Sequence, residues 1–297
     1  MAAALIDGKR VAGEIREEVR AATMELRRTR GIVPGLAFIL VGDDPASQVY
    51  VRSKGKACED LGFHSTTERL PADTSEERLL QIIARFNADP ALHGILVQLP
   101  LPKHMKESRV IEAIDYRKDV DGFHPVNVGR LVLGLDCLKP CTPAGVQELL
   151  VRGGYDPAGK HVVVVGRSNI VGKPVMNMLL QKHAGANAVV TIVHTGVKDI
   201  APIVRQGDIV IAALGRPGAI TGGMLKPGCV VIDVGINRID DAGAKNGTRL
   251  VGDVDFASAS SVASAITPVP GGVGPMTIAM LMRNTLRAAQ GGVYEGP

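Results

Sequence analysis

A lysine and a tyrosine with the spacing of neighbours on a helix lie in the segment DDPASQVYVRSKGKACEDLG. Tyr50 and Lys54 are four positions apart, so they share one face of the helix predicted there. A lysine held at a reacting group can donate or accept a proton during catalysis. The same spacing also fits a tyrosine at the edge of the core beside a solvated lysine. From these two residues alone, the structural interpretation is favoured.

A glutamine and two aspartates could bind a polar ligand nearby. Gln98 ends the apolar segment ILVQLP, where a buried amide must find hydrogen-bond partners. Parallel-sheet proteins bind ligands at the carboxyl ends of strands, and Gln98 falls at such an end. Asp119 and Asp121 follow in KDVDGFHP. For each aspartate, a structural role in a turn and a ligand role are equally compatible with the sequence.

The segment VVVVGRSNIVGKP has features of a phosphate-binding turn. An apolar strand ends at Gly166, a short loop reaches Gly172, and Pro174 stands where a helix would begin. Backbone N–H groups at such a helix start bind anions, and Arg167 and Ser168 add donors at the tip of the turn. The segment departs from the G-x-G-x-x-G pattern, and a tight strand-to-helix turn without a ligand has the same glycines. Nucleotide binding is the favoured interpretation.

The end of the next predicted strand favours NADP over NAD. NAD sites usually carry an acidic residue there, which binds the ribose hydroxyls. This chain has His194, Thr195 and Gly196 instead. Without a carboxylate, a 2′-phosphate meets no repulsion, and Arg167 offers it a positive charge.

The segment TPVPGGVGPMT (267–277) precedes an apolar helix, TIAMLMRNTLRAA. Its glycines would let a flat ligand approach the backbone closely. An irregular linker to the last helix is the alternative interpretation.

Strand and helix patterns alternate along the whole chain, which predicts an α/β protein with a mostly parallel sheet. An amphipathic helix is predicted over 9–30, ended by Gly31, and a buried strand over 35–42. A proline-rich connector, LKPCTPAG (138–145), separates these elements from a second series. Four strands (160–166, 188–194, 208–214 and 229–235) then predict a doubly wound, nucleotide-binding domain. The boundary between two domains falls near residue 140.

Composition excludes several classes of protein. The chain has 297 residues, 45% of them hydrophobic and 3% aromatic, with a net charge of +4. Scarce aromatic side chains argue against nucleic-acid binding. No apolar stretch approaches the length of a membrane span, and Asp7 comes too early for a signal peptide. The four cysteines lack the spacing of a metal site, so we expect no metal and a reducing, cytoplasmic location.

Taken together, these segments resemble the bifunctional methylenetetrahydrofolate dehydrogenase/methenyltetrahydrofolate cyclohydrolase family. The matching segments span nearly the whole chain in the family's order: YVRSKGKACEDLG, GILVQLPLP, KDVDGFHPVNVG, LKPCTPAG, VVVVGRSNIVGKP, VVIDVGIN, LVGDVDF and ITPVPGGVGPMT. The resemblance implies a catalytic folate domain over 1–140, completed by a C-terminal helix at about 277–297. A Rossmann domain for NADP over 141–276, a cleft between the domains and a homodimer formed through the Rossmann domain are also implied.

The resemblance also implies roles for individual residues. Lys54 matches the catalytic lysine, Gln98 the amide that holds it, Tyr50 the aromatic ring that packs on the folate, and Asp121 the carboxylate that binds the pterin. Further folate contacts are expected from Val97, Leu99, Gly272, Val273, Gly274, Pro275 and Met276. Cofactor contacts are expected from Gly166, Arg167, Ser168, Gly172, Thr195 and Ile236. The family commonly has H-S-x-T after the second Rossmann strand, so the sequence His194-Thr195-Gly196 weakens the NADP expectation.

The implied function is NADP-dependent oxidation of methylenetetrahydrofolate, followed by hydrolysis of methenyltetrahydrofolate to 10-formyltetrahydrofolate. The expected partners are tetrahydrofolate derivatives, with neither nucleic acid nor membrane. A folate dehydrogenase without cyclohydrolase activity is one alternative, and Tyr50, Lys54 and Gln98 together argue against it. A non-catalytic folate or nucleotide sensor is a second alternative. A shikimate-dehydrogenase-like enzyme is a third, which the segments GRSNIVGKP and PGGVGPMT fit poorly.

Overall fold

The computed structural model of the protein describes residues 2–243 and 247–294, and the chain divides into two compact units. The N-terminal unit contains Glu14–Cys141 together with the residues from Ile278 onward. The C-terminal unit contains Thr142–Thr277 together with the residues up to Gly13.

Strands and helices alternate through most of the described chain. The strands are β1 (Ala4–Leu5), β2 (Gly35–Val41), β3 (His64–Leu70), β4 (Gly94–Val97), β5 (His161–Val165), β6 (Val189–Val193), β7 (Ile209–Ala212), β8 (Val230–Asp233), β9 (Asn237–Asp240), β10 (Thr248–Val251) and β11 (Ala265–Ile266). The helices are α1 (Gly8–Arg30), α2 (Pro45–Leu61), α3 (Glu76–Ala88), α4 (Glu107–Ala113), α5 (Pro125–Val132), α6 (Cys141–Arg152), α7 (Gly172–Leu179), α8 (Ala201–Val204), α9 (Phe256–Ser260) and α10 (Val273–Gln290). Within the described residues, no helix combines the length and the apolar character that crossing a membrane requires.

A parallel sheet of three strands, ordered β3-β2-β4, forms the centre of the N-terminal unit. Every residue of β2 is buried, because this strand is bonded to a neighbour on each side and both of its faces are covered. Its sequence, GLAFILV, is therefore apolar throughout and does not alternate between apolar and polar residues. The core between β2, β4 and helix α3 is closed by apolar side chains such as Ile39, Leu79 and Ile95.

Helix α2, which carries Tyr50 and Lys54, has well-defined ends. Its start is capped by Asp44, whose side chain accepts a hydrogen bond from Ser47 N at 2.7 Å. Gly62 ends the helix in the left-handed conformation, with φ of +72°. The sequence Asp44-Pro45 predicts this start and Gly62 predicts this end, because each depends on residues within one turn of the helix.

Helix α3 begins one residue later than its sequence indicates. Thr74 and Glu77 have the spacing of a capping box, which predicts Thr74 as the cap, but the helix is capped by Ser75, which accepts a hydrogen bond from Arg78 N at 3.2 Å. The Thr74 carbonyl instead lies 2.8 Å from His104 Nε2. A long-range contact therefore takes Thr74 away from the helix start.

A six-stranded sheet with the order β1-β11-β8-β7-β5-β6 forms the core of the C-terminal unit, and every pairing in it is parallel. Strand β5 lies between β6 and β7, so the strand order reverses at β5. This reversal is the topological switch point at which doubly wound sheets bind nucleotides. The structure confirms the predicted α/β fold with a doubly wound parallel sheet.

Strand β1 joins the sheet of the C-terminal unit by pairing with β11. Residues up to Gly13 therefore belong to that unit by their contacts, whereas the sequence assigned 1–140 to the N-terminal domain. The pairing joins residues about 260 positions apart, so no local pattern could reveal it. The antiparallel hairpin β9–β10 and helix α5 were also absent from the sequence-based prediction.

We expect Phe38→Ala to lower the free energy of unfolding by about 3–5 kcal/mol, because Phe38 is fully buried in the central strand of its sheet. Urea denaturation followed by circular dichroism measures this change. Met24→Ala is the control, since Met24 is 67% exposed on helix α1, and it should change stability by less than about 0.5 kcal/mol. Equal losses in both variants would contradict this description of the core.

Candidate functional site

Lys54 belongs to the buried face of helix α2. The face is formed by residues spaced three and four apart, namely Ser47, Val51, Lys54, Cys58 and Leu61. Lys54 is only 8% exposed, although lysine is almost never buried unless it is paired. The helix therefore carries an amine into the unit, where it must find polar partners.

Gln98 supplies a polar partner for this amine. The Lys54 Nζ atom donates to Gln98 Oε1 at 3.1 Å. Gln98 Nε2 donates to the Leu99 carbonyl at 2.7 Å, so the amide is oriented with its oxygen toward Lys54. The backbone of Gln98 is also fixed, because its N–H donates to the Ile39 carbonyl of β2 at 2.9 Å.

The structure separates the two aspartates whose roles the sequence left open. Asp119 is 2% exposed and accepts hydrogen bonds from Gly122 N at 3.2 Å, His124 N at 2.7 Å and Asn127 Nδ2 at 2.9 Å. Its oxygens are therefore engaged in holding the turn. Burial raises the pKa of Asp119, and the donated hydrogen bonds oppose that shift.

Asp121 has a different environment. It interacts with the Lys54 ammonium and with the Cys141 thiol. Burial raises the pKa of Asp121, while the positive charge of Lys54 and the thiol lower it. The side chains of Lys54, Gln98 and Asp121 thus come together in the N-terminal unit.

The remaining predicted residues of this unit flank the group. Tyr50 is 43% exposed and lies one turn before Lys54 on helix α2. Val97 is buried at the end of β4, and Leu99 is half-buried just beyond it. A ring at Tyr50 is accessible to a flat ligand that reaches Lys54.

The predicted phosphate-binding turn follows β5 in the C-terminal unit. Gly166 has φ of +131°, and a Cβ atom there would overlap the Ala213 carbonyl. A Cβ atom on Gly172 would overlap the Gly166 carbonyl. The two glycines therefore allow the start of helix α7 to approach the end of β5, and its N-terminal N–H groups lie at this turn.

The side chains at the tip of this turn are placed for an anion. Arg167 is exposed, and one of its terminal nitrogens lies 3.8 Å from where a Cβ on Gly196 would stand. The guanidinium thus reaches the residues after β6, which include the exposed Thr195. Ser168 Oγ accepts hydrogen bonds from Val171 N at 3.1 Å and Gly172 N at 3.4 Å, so it orders the turn before helix α7 and keeps its own proton to donate.

The segment 272–276 divides into two parts. Helix α10 begins at Val273, so most of the predicted loop is its first turn. Gly272–Pro275 and Ile236 line one apolar cavity of about 180 Å³. Met276 is fully buried, and its side chain packs where a Cβ on Gly145 would stand. Because Met276 packs in the core, the geometry does not support the ligand contact that was predicted for it.

A buried aspartate that the sequence analysis missed holds the loop after β7. Asp253 accepts hydrogen bonds from the backbone N–H groups of residues 214–216 at 2.6, 2.8 and 2.9 Å. It also accepts a side-chain hydrogen bond from Asn237 Nδ2 at 2.8 Å. Residues 214–216 lie at the carboxyl end of the sheet, beside the predicted nucleotide site. The segment LVGDVDF carries a signal in the sequence, since Asp253 there stands directly between Gly252 and the apolar Val254.

A second aspartate, Asp233, is linked to the first. It accepts hydrogen bonds from Gly235 N, Asp253 N and Val254 N, each at 2.9 Å. Burial raises the pKa of Asp233 to about 6, although these N–H groups favour the ionised form. A Cβ on Gly252 would overlap the Asp233 carboxylate, so this position requires glycine.

Two family models together match most of the chain. The catalytic domain of tetrahydrofolate dehydrogenase/cyclohydrolase matches residues 6–121, and the NAD(P)-binding domain of the same family matches residues 140–292. The chain belongs to the tetrahydrofolate dehydrogenase/cyclohydrolase family.

Relatives of known sequence and structure agree over nearly the full length. The bifunctional protein FolD of Chlorobium phaeovibrioides is 60% identical over 286 residues, which are 96% of this chain and 97% of the relative. The crystal structure of FolD from Campylobacter jejuni has a TM-score of 0.91 and 48% identity, covering 97% of this chain and 99% of that one. FolD from Trypanosoma brucei, complexed with NADP cofactor and an inhibitor, has a TM-score of 0.92 and 43% identity, covering 98% of both chains.

Membership of the tetrahydrofolate dehydrogenase/cyclohydrolase family confirms the predicted enzyme class. The chain is an oxidoreductase and hydrolase of folate one-carbon metabolism, and it carries an NAD(P)-binding domain. Among the described residues, no group of three or more His, Cys, Asp and Glu side chains is arranged to hold a metal ion. The roles of individual residues stay predictions.

The two aspartates should respond differently to loss of charge. Asp119→Asn places an amide N–H₂ where backbone donors point, so it should lower the free energy of unfolding by about 1–3 kcal/mol. Asp121→Asn removes the negative charge that faces the buried Lys54 ammonium, so its loss of stability should shrink in a Lys54→Met background, whereas that of Asp119→Asn should not. Urea denaturation of the single and double variants measures both effects. An Asp121→Asn loss that is unchanged in the Lys54→Met background would mean that Asp121 holds the turn instead.

Proposed function

We propose that this enzyme oxidises methylenetetrahydrofolate with NADP and hydrolyses the methenyltetrahydrofolate formed, with Lys54 as the proton-transfer residue of the hydrolysis. The observation that supports this role most directly is the buried amine of Lys54, hydrogen-bonded to the neutral amide of Gln98. A buried lysine aimed at an amide and a carboxylate is positioned for chemistry rather than for solvation.

The oxidation depends mainly on positioning. When bound, NADP accepts the hydride that leaves the one-carbon bridge of the folate. Two flat partners must be held within reach of each other, and no side-chain proton transfer is required in that step. Tyr50 offers an exposed ring on which the folate packs, and Asp121 offers carboxylate oxygens to the N–H groups of the pterin.

The hydrolysis requires proton movement. Water attacks the methenyl carbon, and the five-membered ring opens to give 10-formyltetrahydrofolate. Lys54 transfers the proton between the attacking water and the ring nitrogen, while Gln98 holds the Nζ atom in place. Gln98 is uncharged, so it orients the amine without supplying a counter-charge that would fix it as an ion pair.

The C-terminal unit offers residues that would hold NADP. The turn at Gly166 and Gly172 leaves no room for a Cβ, so the positive end of helix α7 lies close to the end of β5, where phosphate oxygens would bind. Arg167 supplies the positive charge for a 2′-phosphate, with Ser168 and Thr195 as hydroxyl donors near it. Ile236 lines the apolar cavity that also contains Gly272–Pro275. We propose NADP rather than NAD on the basis of Arg167 and the missing carboxylate after β6.

We further propose a homodimer in the cytoplasm. The dimer, formed through the C-terminal unit, rests on resemblance to the family, and light scattering of the purified protein tests it. The compartment is supported by four cysteines that are all free and buried, as suits a reducing environment.

Lys54→Met should abolish most cyclohydrolase activity while substantial dehydrogenase activity survives. Methionine keeps the apolar stem but lacks the amine, and a positioned acid or base contributes about 10²–10⁴-fold. Methenyltetrahydrofolate should therefore accumulate in an absorbance assay that follows its formation and decay. Lys56→Met is the matched control, since Lys56 is exposed on the same helix. If the Lys54→Met enzyme hydrolyses methenyltetrahydrofolate at the original enzymatic rate, the proposed role of Lys54 in proton transfer is wrong.

Arg167→Ala should weaken NADP binding about tenfold or more and change NAD binding little, because only NADP carries the 2′-phosphate. Fluorescence titration of the purified enzyme with each dinucleotide measures both affinities. Lys182→Ala is the control, because Lys182 is an exposed cation that lies beyond the end of helix α7 at Leu179. Equal weakening of NAD and NADP by Arg167→Ala would place this arginine at the shared part of the two cofactors.

A further inference from the structure

The position of Asp121 depends on the loop that carries it, residues 116–127, which we call the Asp121 loop. Within this loop Asp119 binds the backbone of Gly122 and His124, as described above. Asn127 closes the loop, because its Nδ2 atom donates to Asp119 Oδ2 and to the Tyr116 carbonyl, each at 2.9 Å. Both protons of the Asn127 amide are used in these two bonds, which leaves no donor unsatisfied in a residue that is 1% exposed.

The last described residue of the chain completes this closure from outside the loop. The Tyr294 hydroxyl lies 2.7 Å from Asn127 Oδ1 and 2.9 Å from the Tyr116 carbonyl, and its single proton is shared between these two acceptors. The Tyr294 ring packs edge-on against Tyr116 with centroids 5.0 Å apart, and the Arg130 guanidinium lies 5.4 Å from its centroid. The ring and the hydroxyl therefore make separable contributions, one by packing and one by hydrogen bonding.

Helix α10 holds the loop at the residue before Asp121. Asn284 is 2% exposed, and its Nδ2 atom donates to the Val120 carbonyl and to the Lys139 carbonyl, each at 2.8 Å. The Cys141 thiol also donates to the Val120 carbonyl at 3.2 Å. The peptide group leading into Asp121 is thus fixed by a side chain from a segment more than 160 residues later in the chain.

We propose that Asn284 and Tyr294 are positioning residues for folate binding, and that they act by holding the Asp121 loop. This inference rests on the proposed role of Asp121 as the carboxylate that binds the pterin. The peptide group before Asp121 is held by Asn284, and the turn after it is held by Asp119, so these contacts set the place of the Asp121 carboxylate. Binding through a carboxylate demands accurate placement, and buried amides and hydroxyls supply that accuracy.

The first test measures Michaelis constants for Tyr294→Phe and Asn284→Leu. Tyr294→Phe keeps the packed ring and removes only the hydroxyl. We expect it to raise KM for methylenetetrahydrofolate and for methenyltetrahydrofolate about three- to tenfold, the effect of losing one hydrogen bond to a buried group. KM for NADP should stay within twofold, because the cofactor residues lie in the other unit. Asn284→Leu should act in the same direction and more strongly.

Arg287→Gln is the matched control on helix α10. Arg287 binds the Asp136 carboxylate and the Cys137 carbonyl, and among the described residues it makes no hydrogen bond to the Asp121 loop. It should leave both folate KM values unchanged. A rise of the folate and NADP constants together in Tyr294→Phe would indicate general loosening of the fold and would overturn the proposal.

A double-mutant cycle with Asp121→Asn distinguishes positioning from a purely structural role. If Tyr294 acts through Asp121, adding Tyr294→Phe to Asp121→Asn should raise the folate KM no further, whereas independent effects would multiply. Multiplying effects overturn the proposal. If Asp121→Asn alone leaves both folate KM values unchanged, the proposed role of Asp121 fails and this inference fails with it. If Asp121→Asn raises them but Tyr294→Phe and Asn284→Leu do not, only this inference fails.

Discussion

Burying an ammonium group in a protein is costly unless hydrogen bonds and opposite charge replace its water, and the N-terminal unit provides both for Lys54. Helix α2 carries Lys54 on its apolar face, where solvation by water is largely lost. Gln98 gives it a hydrogen bond, and Asp121 gives it a negative charge. These partners come from two other segments, so the amine is satisfied only when β4 and the Asp121 loop are both in place.

The parallel sheets explain how distant segments reach common sites. In the N-terminal unit, Gln98 directly follows β4, whose register with the fully buried β2 is fixed by backbone hydrogen bonds. In the C-terminal unit, the turns after β5 and β7 meet at one edge of the sheet. Residues at carboxyl ends are free to bind ligands because the strands before them are anchored on both sides. Asp253 anchors the loop after β7 as well, because it accepts hydrogen bonds from three successive backbone N–H groups of that loop.

The sequence was sufficient where structure depends on neighbouring residues and insufficient where it depends on distant ones. The capped ends of α2 and the apolar core strands follow from local patterns, so the alternating α/β fold could be predicted. The pairing of β1 with β11 joins residues about 260 positions apart, so no pattern of neighbouring residues predicts it. Asp119 and Asp121 have the same side chain, so the sequence could not tell their roles apart. Only the surrounding groups show that Asp119 holds the turn and that Asp121 faces Lys54. Resemblance to a family identified the site segments, but it gave no account of Asn284 or Tyr294.

The neutrality of Gln98 is consistent with the charge balance around Lys54. A glutamate at position 98 would lose the Nε2 proton that now binds the Leu99 carbonyl, and its oxygen would repel that carbonyl. It would also bring a second negative charge to an amine that already faces Asp121. Two carboxylates would hold the ammonium as a structural ion pair, whereas one carboxylate and one amide fix its position and leave its proton available for transfer. An amide at this place therefore gives Lys54 orientation without excess charge, which is what an acid–base group serving a cationic methenyl substrate requires.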